Sequence, residues 1–594
     1  MEFEDKEKAE NEEYYYENEY EENAGPNVLV MSDAAKPIYC RWGDEEDFGT
    51  LCSLIQAIRG SIKDDESMMD GDLQFMDVDD GMRVAFLSIG SLTLVAISTG
   101  QYETEAYLRL QLEYVYAQII LTLTDHVQKV FQKNPNMDIR NMLGSTHHIM
   151  DGILNAAGPL GNSGPFLVAG VEMVCPVPYL LREEVSSILV DVCKDSGKDN
   201  MNTLFAFLLV GRKLLTLVQP RQSHLQLHTA DVHLILNYVD CHQPGGVVLS
   251  NNELWFPICL PGLNSSGFVH AYATCLDRDT QLSIVLISQD NSTQQFESFR
   301  KVARNVREKA GLPPPLTDSQ ILNLSSNANE NNKEFHNNPD NTLQLNKEFF
   351  QTQTEESIES DHNDESDADT TQSQSMSSIS QSMTSDSRRA SINTLIDRKD
   401  VTLGDLREIL ADTLNDEIQA QMFQDYCSIA TAMHFVFRCD VSIRSSASAQ
   451  TGRLTQCFSS PFTFPFTDAL SKRQIWSMYQ RLSLRLRLGS SAMESTLDAL
   501  ERQSAEMNTS AQNIQRDCPS QSLFATPPTV HGVSYILDGN ELFIALNGKD
   551  FELYATLPAT VPPKTGTMLC ARLVRRIWAD EGKLFLARPL TWRS

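Results

Sequence analysis

The sequence lacks the features of a membrane-spanning, secreted or disulfide-bonded protein. Its two longest apolar runs are broken at Gly90 and Gly211, too early for the roughly 20 apolar residues of a transmembrane helix. The first residues, MEFEDKEKAE, are strongly acidic, whereas a secretory signal starts with basic and then apolar residues. The 12 cysteines are scattered without a C-x-x-C pair, as is typical of reduced thiols. These absences predict a cytoplasmic protein that contacts membranes only peripherally.

The motifs of nucleotide binding and covalent catalysis are also absent. The glycines of GPLGNSGP (Gly158–Pro165) match neither G-x-x-x-x-G-K-[ST] nor a strand-Gly-helix frame, so we interpret this stretch as a linker. The sequence has no G-x-S-x-G, H-E-x-x-H or protein-kinase motif. We therefore predict no catalytic residue, no cofactor and no covalent chemistry.

Two histidine-containing trios have the spacing of possible metal ligands. His224, His228 and Asp231 would share one face of a helix, as zinc ligands can. The alternative is that a helix starts near His228 and that Asp231 serves its first turn, where a negative charge is favourable. We favour this alternative and predict no metal site. The same interpretation applies to a second trio: His147, His148 and Asp151.

The formal charge of −31 is concentrated in two segments. Residues 1–22 hold eleven acidic and two basic residues, and residues 313–400 hold sixteen and six, so together they contribute −19. Both segments have few apolar residues, which predicts a disordered acidic tail over 1–25 and a disordered linker over 313–400. The remaining chain is only mildly acidic, which argues against nucleic acid as a partner.

Three similar apolar stretches, each with a central glycine, predict β-hairpins. They are Val84–Ile97, Phe207–Val218 and Tyr535–Leu546. Three copies indicate one α/β (α+β) module used three times, each an antiparallel sheet flanked by helices. We place the modules at 26–156, 157–312 and 401–594, the last with a polar insertion over about 489–522.

The first module shows the order β-β-α-β-β-β-α-α, which predicts a five-stranded sheet with one helix on one face and two on the other. Its later helices are expected over about 103–131 and 138–154. In the third module we expect a helix over about 406–429 and a final strand at KLFLARPL, 583–590.

Three short stretches suggest interactions or modification. Two basic clusters, residues 471–489 and 564–594, each have a net charge of +5 and fit an anionic membrane, although solvated faces or internal salt bridges would explain them too. Their candidate lipid-binding residues are Arg485, Arg487, Arg572, Arg575 and Arg576. Ser391 follows two arginines and is a phosphorylation candidate, or a chance match in serine-rich sequence. Glu348–Phe350 resembles a docking peptide with two phenylalanines beside acidic residues.

Several longer stretches resemble the SAND (Mon-one) family of vacuolar fusion proteins. The most specific is WFPICLPGLNSSGFVHAYATCL (Trp255–Leu276), preceded by LHTADVHLILN (Leu227–Asn237). AAKPIYCRWGDEED (Ala34–Asp47) and the C-terminal FELYATLP also fit. The resemblance covers about 27–312 and 430–594, and this chain departs from it in its long acidic linker and in the interruption after Leu488.

This resemblance implies three longin-type domains and an obligate complex with a Ccz-one subunit. It implies that the pair is a guanine-nucleotide exchange factor for Rab-seven, recruited downstream of Rab-five to membranes with phosphatidylinositol 3-phosphate. The expected role is the conversion of early to late endosomes and their fusion with the lysosome or vacuole, at endosome and late endosome or lysosome membranes. A different function, that of a longin-fold adaptor or tether without exchange activity, stays open.

In such a complex the GTPase is held by the first longin domains of both subunits. The resemblance therefore points to the end of the second strand and the first helix. The candidates are Arg41, Trp42, Gly43, Asp44, Glu45 and Asp47. Trp42 could act as a wedge while the acidic residues meet a lysine of the GTPase. Alternatively, Trp42 packs in the strand and Asp44 caps the helix.

Overall fold

The structure is a computed structural model that describes most of the chain outside its acidic segments. The described residues are 25–43, 45–63, 73–78, 81–98, 103–134, 137–143, 146–158, 161, 163–196, 203–220, 227–242, 253–314, 401–441, 454–487, 528–586 and 590–591. The predictions of disorder for 1–25 and 313–400 fall almost entirely outside this part of the chain. So do the polar insertion 489–522, Ser391 and Glu348–Phe350.

The first module contains the predicted five-stranded antiparallel sheet. Its strands are Asn27–Ser32 (β1), Pro37–Cys40 (β2), Phe75–Asp77 (β3), Arg83–Ile89 (β4) and Leu92–Ser98 (β5). They pair in the order β2-β1-β5-β4-β3. Successive side chains in a strand point to opposite faces of the sheet. Alternate residues of β1 and β5 therefore pack into two different hydrophobic cores, one on each face.

Helices cover both faces of this sheet, as the sequence predicts. They are Glu45–Lys63 (α1), Glu105–Leu123 (α2), His126–Lys133 (α3), Arg140–Leu143 (α4) and His147–Ala157 (α5). Helix α1 packs on one face through Phe48, Cys52 and Ile55. Helices α2 and α5 pack on the other.

The prediction of unbroken helices over 103–131 and 138–154 was wrong. The first is broken at Thr124, which has a positive φ of 62°. The next residue, Asp125, binds Ser265 of the second module through its backbone N–H (2.8 Å) and through its carboxylate, which accepts from the serine hydroxyl (3.1 Å). The break therefore serves a contact between modules that a local pattern does not reveal.

The second module follows a short helix, Ser163–Leu167 (α6), and a two-residue strand, Val171–Glu172 (β6). Its strands and helices are Tyr179–Ser196 (α7), Thr203–Val210 (β7), Lys213–Gln219 (β8), Thr229–Cys241 (α8), Leu254–Leu260 (β9), Pro261–Asn264 (α9), Ser265–Asp277 (β10), Leu282–Ser288 (β11) and Thr293–Lys309 (α10). Strands β8-β7-β11-β10-β9 form an antiparallel sheet.

The third module follows the linker. Its strands and helices are Leu406–Thr413 (α11), Asp416–Ala430 (α12), His434–Val441 (β12), Leu454–Ser459 (β13), Ala469–Arg487 (α13), Gly532–Asp538 (β14), Glu541–Asn547 (β15), Phe551–Pro558 (β16), Pro563–Ala579 (α14), Glu581–Leu584 (α15) and Leu590–Thr591 (β17). The predicted helix over 406–429 is two helices, since the chain turns at Leu414 and Asn415 caps the second. The predicted strand at 583–590 is wrong at its start, because Lys583 and Leu584 belong to α15; among the described residues of this stretch, Leu590 is in a strand, β17.

All three predicted hairpins are present. β4–β5, β7–β8 and β14–β15 are antiparallel pairs joined by two-residue turns. Gly90, Gly211 and Gly539 have φ values of +59°, +56° and +54°, a left-handed conformation that glycine adopts without steric cost.

The second and third modules exchange short strands. Strand β6 pairs in parallel with β13 of the third sheet, and β17 pairs in parallel with β8 of the second. Each of these two sheets therefore has six strands, and one edge of each comes from a distant part of the chain. One large apolar core includes residues of all three modules and so joins them, while three smaller cores lie on the other faces of the sheets.

Candidate functional site

The end of edge strand β2 places the candidate GTPase-contacting residues at the rim of the first sheet. Asn27 on β1 holds the main chain of Trp42 from both sides: its amide donates to Trp42 O (3.0 Å) and its side-chain oxygen accepts from Trp42 N (3.2 Å). Gly43 then reverses the chain with φ +111°. The backbone of Trp42 is thereby fixed while its side chain stays half-exposed.

Arg41 is committed to contacts within the module. Its Nη2 donates to Asn155 Oδ1 on α5 (2.7 Å) and its Nη1 to the carbonyl of Pro26 (3.1 Å). Its guanidinium also lies 4.2 Å from the centroid of the Trp42 ring, within cation–π range. Burial lowers the pKa of Arg41 from its usual value. Arg41 therefore positions Trp42 by covering one face of the indole.

Tyr39 ties the same strand to α5. Its hydroxyl donates to Asp151 Oδ1 at 2.5 Å, and burial, reinforced by this carboxylate, raises the pKa of Tyr39. Asp151, one of the three candidate metal ligands with His147 and His148, thus has a structural hydrogen-bond partner in Tyr39. His147 packs edge-on against the Tyr39 ring, with centroids 5.5 Å apart.

The structure places Arg41, Trp42 and Gly43 together at the end of β2, but it does not describe the side chains of the acidic candidates. Asp44 lies outside the described residues. Glu45 and Asp47 begin helix α1, and their side chains are not among those described. Their contact with a lysine of a GTPase stays a prediction.

Helix α1, next to Trp42, exposes a face without charge. The exposed residues on this face are Thr50, Ser53, Leu54, Ala57 and Ser61. Leu54 is its largest apolar side chain and is 57 % exposed. The single charged residue between Phe48 and Ser61, Arg59, is buried and donates to Thr93 and to Ser88 Oγ (2.8 Å). Sequence reasoning missed this face, although its small uncharged residues are visible in the sequence.

The two basic clusters lie on opposite faces of the third sheet. Helix α13, with Arg485, packs through Trp476 and Tyr479 on the face that holds Phe543, whereas α14 packs on the face that holds Leu542. They are therefore separate surfaces rather than one patch. The side chain of Arg487 is not among those described.

The arginines of α14 differ in their availability. Arg572 is exposed. Arg576 is ion-paired with Asp580 (2.6 Å), which also accepts from the Tyr426 hydroxyl (2.9 Å). Arg575 is half-buried, and burial lowers its pKa. The internal salt bridge that the sequence left as an alternative is thus present at Arg576.

A buried polar joint connects the modules, and sequence reasoning missed it. His233 on α8 has no exposed edge: Tyr114 OH on α2 lies 2.7 Å from its Nδ1, and the carbonyl of Gly170 lies 2.8 Å from its Nε2. Because a carbonyl only accepts, Nε2 carries the proton and Nδ1 accepts from the tyrosine. Burial lowers the pKa of His233 to about 4, so it is neutral here.

Asn237, one turn along α8, continues this joint. Its amide donates to the carbonyl of Ile149 (2.8 Å) and to Gln118 Oε1 (3.4 Å), both in the first module. The close approach requires Gly152 on α5, because a Cβ there would lie 2.4 Å from Cys241 Sγ. The signal in the sequence is a set of polar residues within the otherwise apolar ADVHLILN.

Asp231 and His228 confirm the interpretation that a helix starts here. Helix α8 begins at Thr229, His228 occupies the N-cap position, and Asp231 lies in the first turn. The Asp231 carboxylate accepts from Gly262 N (3.0 Å), and burial raises its pKa to about 6. His224 lies outside the described residues. Within the described part of the chain, no group of three His, Cys, Asp or Glu residues is arranged to hold a metal ion.

Comparisons with known proteins decide the family. Residues 26–153 match the first longin domain of FUZ, MON1 and HPS1, and residues 201–305 match the second. The chain is 31% identical to Protein SAND of Takifugu rubripes over 266 residues, 44% of this chain and 47% of that protein. The chain belongs to the SAND/MON1 family.

Two further relatives are named vacuolar fusion protein MON1. The homolog of Arabidopsis thaliana is 31% identical over 264 residues, 44% of this chain and 40% of the relative. The human homolog A is 29% identical over 284 residues, 48% and 40%. The aligned segment thus spans less than half the length of these relatives. The two longin matches include both Trp42 and His233, whereas the third module lies outside them.

No helix of the described chain combines the length and the apolar character needed to cross a bilayer.

Proposed function

We propose that this member of the SAND/MON1 family acts in membrane trafficking as one subunit of a guanine-nucleotide exchange factor. Its partner subunit is a Ccz-one protein and its substrate is a Rab-seven GTPase on late endosomes. The observation that carries the proposal is the match of residues 26–153 to the first longin domain, because that domain presents both Trp42 and the uncharged α1 face. The name of these relatives, vacuolar fusion protein, supports a role in fusion with the vacuole.

Exchange of this kind makes and breaks no covalent bond. The factor binds the nucleotide-free GTPase more tightly than the nucleotide-bound form, and this difference in affinity lowers the barrier to GDP release. A rigid wedge suits this task, since a preorganised side chain loses little entropy on binding. Trp42 meets this requirement because Asn27 and Arg41 hold it in place.

The partner subunit and the membrane need surfaces of their own. The α1 face around Leu54 is uncharged, and the centres of protein interfaces are likewise depleted of charged residues. Recruitment by Rab-five and phosphatidylinositol 3-phosphate would place basic residues of the third module at an anionic bilayer.

The test is the release of fluorescent GDP from Rab-seven, measured with the full chain alone and with the Ccz-one subunit. We expect acceleration by the pair. Trp42→Ala should lower the rate roughly tenfold or more, because a central aromatic at a protein interface commonly contributes about 2 kcal/mol. Leu180→Ala, at an exposed position of the second module, is the matched control and should leave the rate unchanged.

No acceleration by the wild-type pair would overturn the exchange function and leave the adaptor or tether function. A normal rate with Trp42→Ala would keep exchange but remove this tryptophan from the site.

A further inference from the structure

Strand β14 is a long edge of the third sheet that lacks the usual protection of such edges. The three sheets of the described chain end in the strands β2, β3, β6, β9, β14 and β17. Four of these have four residues or fewer, and β9 is interrupted by Pro257. Strand β14, GVSYILD, has seven residues without a proline or a lysine, and its one charged residue, Asp538, is the last. Proline, lysine and shortness are the features that keep an open edge from pairing with other chains, and β14 has none of them.

Alternate residues of β14 turn their main-chain groups away from the sheet. Asn540 O accepts from Ala559 N (2.8 Å), and hydrogen-bonded pairs alternate along an antiparallel ladder, so the even-numbered residues of β15 bond to β16. The odd-numbered residues of β15 therefore bond to β14, where they face Ser534, Ile536 and Asp538. The residues with outward N–H and C=O groups are Val533, Tyr535 and Leu537. No described strand pairs with these groups.

The side chains of β14 divide between the two faces of the sheet. Ile536 lies on the face covered by α13, against the core that holds Phe543. Tyr535 lies on the opposite face, where it packs against the core that holds Leu542. Leu537 belongs to the same face as Tyr535, because side chains alternate along a strand, and it is 61 % exposed. A strand added at this edge would therefore meet apolar side chains on the face of Tyr535.

Helix α13 brings positive charge to the other face, beside the same edge. Gln474 donates to Asp538 Oδ2 at the end of β14 (3.2 Å), and Arg485 donates to the outward carbonyl of Tyr535 (3.3 Å). Arg481 lies seven residues after Gln474 and four before Arg485, so it belongs to the same stripe of the helix. Its side chain is exposed and forms no ion pair within the described part of the chain. An added strand would replace Arg485 at Tyr535 O and would meet Arg481 on this face.

We propose that the outer edge of β14 binds an extended segment of a partner protein, which adds an antiparallel strand to the third sheet. In that segment apolar residues alternate with acidic ones, because the apolar side chains pack beside Leu537 and the acidic ones meet Arg481. Main-chain hydrogen bonds supply the affinity and the alternate side chains supply the specificity, as in other complexes formed by strand addition. The inference goes beyond the proposed exchange function and does not depend on it.

The charge beside the edge favours such a partner over a second copy of this chain. Two β14 strands that pair antiparallel about a twofold axis would keep both copies of α13 on one face of the joined sheet. Arg481 of each copy would then face the other copy across the new pair of strands. Like charges on neighbouring strands destabilise the pairing, whereas an acidic segment neutralises Arg481.

The test is fluorescence anisotropy of labelled peptides with the full chain, alone and with its proposed partner subunit. Both peptides match the length of β14: one alternates valine with glutamate and the other alternates valine with lysine. We expect the glutamate peptide to bind roughly tenfold more tightly, which is the effect of one hydrogen bond to a charged group. Arg481→Glu should reverse this preference. Arg572→Glu, on the opposite face of the third sheet, is the matched control and should leave the preference unchanged.

Methylation of the peptide main chain tests the hydrogen bonds without changing the protein. Hydrogen-bonded partners in an antiparallel ladder point their side chains to the same face, so the valine N–H groups of the glutamate peptide would donate to β14. N-methylation of the valines should weaken binding roughly tenfold or more, because each lost hydrogen bond costs about that factor. N-methylation of the glutamates is the control and should be tolerated, because their N–H groups point away from β14.

A proline in β14 removes a donor on the protein side. The N–H of Leu537 points outward, so Leu537→Pro should leave the pairing of β14 with β15 intact and weaken binding of the glutamate peptide roughly tenfold. Leu537→Ala keeps the N–H and should bind this peptide more tightly than the proline variant does.

Four results would overturn the proposal. The first is an absence of saturable binding, or equal binding of the two N-methylated peptides, which would exclude strand addition. The second is an unchanged peptide preference in Arg481→Glu. The third is dimerisation of the full chain that Leu537→Pro abolishes, which would assign the edge to a second copy. The fourth is peptide binding that appears only after deletion of residues 489–522, which would assign the edge to the chain's own insertion.

Discussion

Replacing His233 by phenylalanine tests whether the buried joint holds the modules together. Phenylalanine keeps a ring of similar size beside Phe166, whose centroid lies 5.0 Å from that of His233. It removes both hydrogen bonds, so the Tyr114 hydroxyl is left buried without this partner, whereas the Gly170 carbonyl still accepts from the Cys457 thiol (3.5 Å). A buried polar group without a partner costs roughly 1–3 kcal/mol. At pH 7.5 we therefore expect the variant to lose about 1–3 kcal/mol of local stability.

The pH dependence of this loss follows from the histidine pKa. Burial lowers the pKa of His233 to about 4, below its ordinary value of 6.5, so the unfolded form binds the proton more readily. The stabilisation is complete above pH 6.5 and is lost as the pH falls towards 4. By pH 5 the wild type should have lost roughly 2 kcal/mol of it. The difference between wild type and the phenylalanine variant should shrink by that amount.

Asp231 changes stability in the opposite direction. Burial raises its pKa to about 6, so the folded form binds the proton more tightly and stability falls as the pH rises from 4 to 6. The wild type alone would therefore show a muted pH dependence. Comparison with the His233 variant isolates the histidine, because Asp231 is present in both proteins.

Hydrogen exchange is the suitable assay, since a chain with several modules need not unfold in one step. Opening free energies for peptides within 229–241 should be measured between pH 5 and pH 8. Tyr114→Phe in combination with the His233 variant should cost less than the sum of the single changes, because the two side chains share a hydrogen bond. A wild-type–variant difference that does not depend on pH would refute the assignment of a buried neutral histidine.

Two more changes test other contacts between modules. Arg407→Ala should lower the opening free energy of helix α11, measured by hydrogen exchange, by roughly 1–2 kcal/mol. The reason is that the buried carboxylate of Asp277 loses its cation, since Arg407 Nε lies 3.0 Å from Asp277 Oδ2. Unchanged exchange in α11 would contradict this. Gln480→Ala should loosen the first turn of α2 by about 1 kcal/mol, since Gln480 accepts from Thr104 N (2.9 Å) and Oγ1 (3.0 Å) at the N-cap. Gln474→Ala, on the same helix, is the control and should leave α2 unaffected.

The sequence predicts those parts of the fold that depend on local patterns. Each hairpin combines β-branched apolar runs with a glycine in the left-handed region, and both signals are local. The helix faces that enter the cores also follow from spacing, as with Phe48, Cys52 and Ile55 on α1.

What the sequence did not predict depends on distant contacts. The strands β6 and β17 contain only two residues each, too few for any periodic pattern, and each is extended because a distant strand supplies its hydrogen bonds. Thr124 breaks a helix whose apolar stripe continues, because Asp125 binds Ser265 more than a hundred residues away. The opposite placement of the two basic helices likewise requires the sheet between them.

The stretches that carry the family resemblance have different structural roles. LHTADVHLILN supplies His233 and Asn237 to the joint with the first module, and Asp231 fixes the turn at Gly262 within the longest stretch. These residues are restricted because each must satisfy buried polar groups on several sides. The stretch that ends in CRWGDEED instead reaches the rim of the first sheet, where Trp42 is half-exposed. The most specific sequence signals therefore mark how the longin modules are joined, and the exchange function must be tested at Trp42 rather than at those signals.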